Sequence, residues 1–161
     1  MSLYSKRYIP KNLTKKDAKK QYIQLQKSKR LYKKKQYYTR KKVKSFKSKP
    51  SSHVENARKM YKITKIKPSK ELAKKTKCSV NALKHIVKKG QGAYYSSGSR
   101  PNQSANSWGY ARLASAITGG KSSAVDYHIL EKGCKKNSRA LKLAKKMRGK
   151  GTRRVPKRKK I

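Results

Sequence analysis

A weakly charged stretch, residues 90–121, interrupts a chain that is otherwise dense in lysine, and this change constrains the fold more than any other feature. The stretch consists mainly of Gly, Ser, Asn, Gln, Ala and aromatic residues. Its glycines allow backbone conformations that a Cβ would forbid, and Arg100, Pro101 and Asn102 are typical of a turn. The sequence therefore predicts a compact, Gly/Ser-rich central loop over residues 90–107.

The charge of the chain is the second constraint. Its 161 residues include 49 Lys and Arg against 5 Asp and Glu, which gives a formal net charge of +44. Like charges at this density oppose compaction unless a polyanion or an acidic protein surface neutralises them. Hydrophobic residues make up only 34% of the chain, so we expect a small core. Sequence-independent, salt-dependent binding to nucleic acid, DNA above all, is the simplest use of this composition.

Hydrophobic periodicity predicts a mainly α fold, a small helical domain with long, basic, extended N- and C-terminal arms. We assign residues 1–50 to an N-terminal arm with one amphipathic helix, and residues 148–161 to a basic C-terminal tail. The compact helical domain is expected over residues 51–147 and includes the loop 90–107.

Within the arm, Thr14 and Asp17 have the spacing of a helix cap, and apolar positions at helical intervals continue to Tyr32. Residues 33–50 mix Lys and Arg with aromatic residues and are predicted to be extended. Two interpretations of this segment stay open, an anchored arm and an arm whose aromatic rings stack on nucleobases.

Helix signals recur through the compact domain. Ser52 and Glu55 indicate a cap, a strand is expected over residues 62–67, and Ser69 opens the next helix. The helix after that is predicted to stop at Gly90 with a left-handed cap. Later helices are predicted to begin at Ser107, at Ser123 (paired with Asp126) and near Ser138, and the Ser123 helix is expected to run to Gly133.

Residues 69–90, SKELAKKTKCSVNALKHIVKKG, resemble a helix-turn-helix. If the unit binds DNA in that manner, Asn81, Lys84 and His85 would enter the major groove. A packing hairpin gives the same pattern and is the alternative.

Motifs that would indicate an enzyme fail on spacing or context. Residues 118–122, TGGKS, look like the end of a phosphate-binding loop, but Ser115 stands where the upstream glycine is required. The carboxylates are too few for a magnesium site or paired acid–base chemistry. No usual zinc spacing exists among the candidate ligands Cys78, His85, His128 and Cys134. We expect no enzyme activity, no catalytic residue, no metal and no cofactor.

Membrane and secretion signals are weak. No apolar run approaches the roughly 18 to 20 residues that a spanning helix needs, although lysines could contact an anionic membrane peripherally. The two cysteines, Cys78 and Cys134, do not suggest a disulfide framework, so assembly in a reducing compartment is expected.

Over residues 26–146, and most specifically in KSFKSK and in residues 68–146, the chain resembles a family of small Lys-rich proteins of large double-stranded DNA viruses of algae and protists, of chlorovirus and mimivirus type. The resemblance implies a viral origin and a structural place in the virion. It brings no catalytic residues.

Three function classes follow. The first is an internal minor capsid protein that cements coat proteins and contacts acidic surfaces through basic arms. It would lie in the capsid interior, after passing through the host nucleus or cytoplasm during assembly. The second is a virion protein that binds and condenses genomic DNA, and the third is a ribosomal-protein-like RNA binder, which the viral resemblance disfavours.

Two residue sets are predicted to carry the capsid function. Aromatic and arginine residues concentrate binding energy at interfaces, so a docking surface is assigned to Tyr94, Tyr95, Arg100, Pro101, Trp108 and Arg112. Core positions are the alternative for Tyr95 and Trp108. Polyanion contacts are assigned to Lys33, Lys34, Lys35, Arg40, Lys41, Lys42, Lys84, Arg153, Arg154, Lys157 and Arg158.

Overall fold

The computed structural model describes residues 4–150 and shows a mainly helical chain, as the sequence predicts. Over this range there is no named strand, and only Cys78 and Cys134 form an isolated antiparallel bridge. The helices are α1 (Lys15–Lys33), α2 (Ser52–Tyr61), α3 (Lys70–Thr76), α4 (Val80–Ser96), α5 (Ala105–Ile117), α6 (Lys121–Val125), α7 (Tyr127–Gly133) and α8 (Arg139–Lys150).

Hydroxyl side chains begin several helices at or near the predicted positions. Thr14 caps α1 and Ser69 caps α3, each accepting a backbone N–H, at 3.2 and 3.1 Å. Helix α2 is capped by Ser51, one residue before the predicted position, and α5 by Ser104 instead of Ser107. Each cap gives a partner to an N–H that has none within the helix, so it determines where the helix begins.

The predicted end of a helix at Gly90 is wrong, because α4 continues to Ser96. The first part of the predicted loop is therefore helical. The physical reason is Tyr94, whose fully buried side chain extends the apolar face of the helix beyond the glycines. The left-handed glycine lies further on, at Gly98, where φ is +126°.

The strand predicted over residues 62–67 is absent, and the segment is an irregular connection between α2 and α3. Lys62 adopts a left-handed conformation with φ +51° at the end of α2. Ile63 and Ile66 are both buried, and this three-residue spacing does not fit the alternation of a strand.

The single helix predicted from Ser123 to Gly133 is divided at Asp126 into α6 and α7. Asp126 makes no side-chain cap bond. Its carboxylate is instead buried against an arginine, as described below.

One compact unit, unit 1, combines residues 4–49 with residues 90–108. This grouping differs from the predicted division, which separates an arm over residues 1–50 from a domain over residues 51–147. Its buried apolar residues include Tyr8, Leu13, Leu25, Val43 and Tyr94.

The second compact unit, unit 2, combines residues 50–89 with the chain from residue 109 onward. Its core draws on α2, α3, α4, α5, α7 and α8, and it includes Leu72, Leu83, Ile86, Leu113, Ile117, Leu130 and Leu141. Between residues 4 and 150, no helix is both long enough and apolar enough to cross a bilayer.

A disulfide joins Cys78 to Cys134 within unit 2, whereas the sequence suggested no disulfide framework. The Ser79 N–H donates to the Gly133 carbonyl at 2.7 Å, and the Lys135 N–H donates to the Lys77 carbonyl at 2.8 Å. These bonds place the two cysteines opposite each other, although 56 positions separate them in sequence. The spacing of the cysteines alone carried no sign of this pairing.

Candidate docking and polyanion surfaces

Arg40, predicted as a polyanion contact, is buried and only 6% exposed. Its guanidinium donates to Ser28 Oγ at 2.9 Å, to the Tyr94 carbonyl at 2.7 Å and to Ser99 Oγ at 2.8 Å. Burial lowers the pKa of Arg40 from its ordinary value, while nearby tyrosines act in the opposite direction. The placement is that of an internal cross-link between α1, the extended segment and the central loop.

Two side-chain amides hold the extended segment that follows α1. The Gln24 amide donates to the Lys41 carbonyl at 3.0 Å and accepts the Lys41 N–H. Asn102 does the same for Val43, accepting its N–H at 2.7 Å and donating to its carbonyl at 3.2 Å. Each amide therefore replaces the peptide group of a neighbouring strand, so the segment is ordered without a sheet.

Asp17 anchors the far end of the same segment. Its carboxylate accepts the Ser45 N–H at 2.8 Å and the Ser45 hydroxyl at 2.6 Å. These two hydrogen bonds to the charged form lower the pKa of Asp17 from its ordinary value. One of the few acidic side chains thus already has partners within unit 1.

The held segment presents its lysines to solvent. Arg40 and Val43 are buried, whereas Lys41 and Lys42 between them are exposed. Of the other predicted polyanion contacts, Lys33, Lys34, Lys35 and Lys84 are exposed as well. The predicted contacts Arg153, Arg154, Lys157 and Arg158 lie outside the described residues.

Three tyrosines of unit 1, which we call the tyrosine cluster, pack together near these lysines in sequence. Tyr32 and Tyr95 stack with ring centroids 6.2 Å apart and planes 11° apart. Tyr37 contacts both rings, at centroid distances of 6.1 and 5.2 Å, and is itself 70% exposed. The cluster supplies a supported aromatic surface of the kind that stacking on nucleobases requires.

The predicted docking residues are divided by burial. Tyr94 and Pro101 are fully buried and belong to the interior of unit 1. Tyr95 is half-buried in the tyrosine cluster, and Arg100 is exposed. Trp108 is half-buried, with the Arg7 guanidinium 5.6 Å from its ring centroid.

The sixth predicted docking residue, Arg112, belongs to unit 2. It donates two parallel hydrogen bonds to Asp126, at 2.8 and 2.7 Å. The Asp126 side chain is fully buried, and the Arg112 side chain is 15% exposed. A bidentate pair this deeply placed holds α5 to the junction of α6 and α7.

The helix-turn-helix-like pair consists of α3 and α4. Asn81, Lys84 and His85 lie exposed on α4, while Leu83 and Ile86 of the same helix are buried. The face predicted to contact DNA is thus open to solvent.

Metal ligands do not gather among residues 4–150, where no group of three His, Cys, Asp or Glu side chains could hold an ion. Cys78 and Cys134 are joined to each other. The candidate zinc set therefore lacks its two thiolates.

The side chains that order unit 1 were largely missed from the sequence. Gln21 and Gln24 are buried on α1, beside Leu25 and Ser28. In the sequence, this burial is signalled by polar residues that recur at helical spacing along the same face of α1. Gln21 donates to the Tyr8 carbonyl at 3.2 Å, which ties the N-terminal residues to the helix.

A family model, described as a family of unknown function (DUF5824), matches residues 5–138. The match takes in residues 5–25, ahead of the stretch that carries the viral resemblance, and ends just before α8. No curated protein and no solved structure matches the chain.

Proposed function

We propose that this chain, which belongs to the family of unknown function DUF5824, is a structural protein of a virus particle. In this proposal it is an internal minor capsid component that joins coat proteins and contacts acidic surfaces. The observation that carries the proposal is an ordered protein whose positive charge is left uncompensated at its surface.

The acidic side chains are too few to balance the positive charge. Asp17 is held by Ser45, and Asp126 is buried against Arg112. Glu55 lies 3.7 Å from Arg58 in an exposed pair, which contributes little in water. With 5 acidic side chains against 49 Lys and Arg, most of the positive charge cannot be balanced within the chain and favours binding to external anions.

The order of unit 1 favours a placed component over a general condensing agent. Condensing DNA needs only cationic charge, since counterion release is independent of sequence and shape. Unit 1 instead fixes Arg40 and the extended segment by specific hydrogen bonds, and it leaves Tyr95 and Arg100 accessible. Aromatic and arginine side chains are the types that dominate protein interfaces. The resemblance to viral proteins is the reason for placing this component in a virus particle.

Stepwise salt extraction of purified particles tests the proposal. We expect the chain to leave with shell proteins and to occupy a defined position on the symmetric shell in a density map. Release together with the DNA, or a distribution throughout the DNA core, would contradict it.

A second candidate, binding of single-stranded nucleic acid, is favoured by the tyrosine cluster. Tyr37 is exposed on a supported stack and follows Lys33, Lys34 and Lys35 within four positions. Stacking on an aromatic ring contributes about 1–3 kcal/mol per base. Titration with an oligothymidylate tests this candidate. Tyr37→Ala should weaken binding while Tyr37→Phe should not, and equal affinity for all three chains would count against it.

A further inference from the structure

A second surface of unit 1 contains none of the residues assigned above. The segment before α1 and the first turns of α1 enclose an open groove of about 770 Å³. Its apolar lining is Ile9, Pro10, Leu13, Ala18, Tyr22 and Ile23. Ile23 is 53% exposed and, with Tyr37, makes up the exposed large hydrophobic residues of the described chain.

Lysines surround this apolar lining. Lys11, Lys15 and Lys19 line the same groove and are exposed, and no acidic side chain lines it. The groove therefore combines an apolar floor with a cationic rim. A ligand that fits both must have an apolar face and negative charges at its edges.

We propose that this groove binds an acidic amphipathic segment of a coat protein, with its apolar face on Ile23 and its carboxylates beside the lysines. Charge complementarity selects this occupant. A second copy would bring another net charge of +44, and the basic residues 148–161 of the same chain contain no carboxylate side chain. The inference rests on the proposed function, because the coat protein is the partner named there.

The shape of the surface favours a protein segment over a membrane. Binding to a bilayer interface uses apolar side chains that project into the acyl region. Here the apolar residues line a concavity, and Ile23 is the single strongly exposed large apolar residue among them. An amphipathic helix in a groove buries such a floor through residues at positions i, i+3 and i+7.

The test uses the full chain and a fluorescein-labelled synthetic helical peptide with leucines on one face and glutamates on the other. Ile23→Ser should weaken binding about tenfold at roughly 0.15 M salt, whereas Val54→Ser, which removes a partly buried aliphatic side chain from unit 2, should leave it unchanged. Lys15→Ser combined with Lys19→Ser should weaken binding more than Lys33→Ser combined with Lys34→Ser, although both remove the same charge.

Three results would overturn the inference. Equal losses for the two serine variants, or for the two lysine pairs, would mean that charge alone drives binding. Stronger Ile23-dependent binding to phosphatidylserine vesicles than to the peptide would assign the groove to a membrane. Equal binding of a peptide with serine in place of leucine would remove the role of the apolar floor.

Particle composition separates failure of this inference from failure of the proposed function. If the chain co-extracts with the shell but Ile23→Ser does not alter peptide binding, only the groove assignment fails. If the chain co-extracts with DNA, the proposed function fails whatever the peptide result, and the coat protein is then excluded as the source of the segment.

Discussion

The guanidinium of Arg40 lies over the ring of Tyr94, with its central carbon 3.8 Å from the ring centroid. The backbone of Arg40 contacts the same residue, because its N–H donates to the Tyr94 hydroxyl at 2.9 Å. No carboxylate between residues 4 and 150 forms a salt bridge with Arg40, so its charge is stabilised by oxygen dipoles and by the ring. Tyr94 belongs to the last turns of α4 and Arg40 to the extended segment, so this pair joins the two parts of unit 1.

Removal of this cross-link should destabilise unit 1. Arg40→Ala leaves the Tyr94 carbonyl and two hydroxyls without their donor, and we expect a loss of about 3 kcal/mol in the free energy of unfolding. Arg40→Lys, which cannot reach all three acceptors, should lose about 2 kcal/mol. Urea denaturation measures both. Lys41→Ala, at the exposed neighbouring position, is the control and should change stability by less than about 0.5 kcal/mol. If Arg40→Ala leaves stability unchanged but weakens polyanion binding, the internal role of Arg40 is contradicted and its predicted role as a surface contact is supported.

A methyl group at residue 98 should also destabilise unit 1. Gly98 has φ +126°, and a Cβ there would lie 2.9 Å from Leu25 Cδ2. We expect Gly98→Ala to cost about 1–3 kcal/mol, through backbone strain and displacement of the leucine. Gly149→Ala is the matched control, since a Cβ at that helical glycine meets nothing within 4 Å. It should be neutral or stabilise α8 by up to about 1 kcal/mol, and equal effects of the two changes in thermal unfolding would contradict the assignment.

Tyr61 should ionise only at strongly alkaline pH. Burial raises the pKa of Tyr61 to about 12, although Arg139 acts in the opposite direction. Since the folded pKa exceeds the ordinary value of 10.0, the contribution of Tyr61 to stability is complete below about pH 10. It is lost as the pH rises through about 12. Absorbance at alkaline pH should show a late step that Tyr61→Phe removes, and a titration unchanged by that substitution would refute the prediction.

Loss of the disulfide should weaken unit 2. Cys78 and Cys134 are 56 positions apart, and closing a loop of that size contributes about 4 kcal/mol in the chain-entropy estimate. We expect the double variant Cys78→Ser, Cys134→Ser to unfold at lower urea and to be insensitive to dithiothreitol. The unaltered chain should lose stability on reduction. Two alkylatable thiols in the unreduced chain would show that the bond is absent.

Local structure could be predicted from the sequence where a few neighbouring residues determine it. Thr14 and Ser69 begin helices because a hydroxyl two or three residues from a free N–H is a local relationship. The helix predicted to end at Gly90 shows the limit of such rules. Gly90 permits a left-handed cap, but burial of Tyr94 one turn later outweighs that local preference.

Contacts between residues that are far apart in the sequence could not be predicted in the same way. In the sequence, Arg40 cannot be distinguished from the other cations of a basic segment. Only the fold brings Ser99 and Tyr94 within hydrogen-bond distance of it. Gln24 and Asn102 likewise have no individual sequence signature as substitutes for a strand. The exposed lysines could be predicted from composition, whereas the buried arginine required a knowledge of its neighbours.

The extended segment held by Gln24 and Asn102 has a consequence for association. Lys41 has both of its peptide groups hydrogen-bonded before any ligand arrives, and the Lys42 carbonyl accepts from Lys20 at 3.2 Å. An anion that contacts these lysines restricts only side-chain torsions, whereas an unstructured basic tail must also surrender backbone freedom. The lysines of this segment are thus preorganised cations, and their affinity per charge should exceed that of an equally basic flexible peptide.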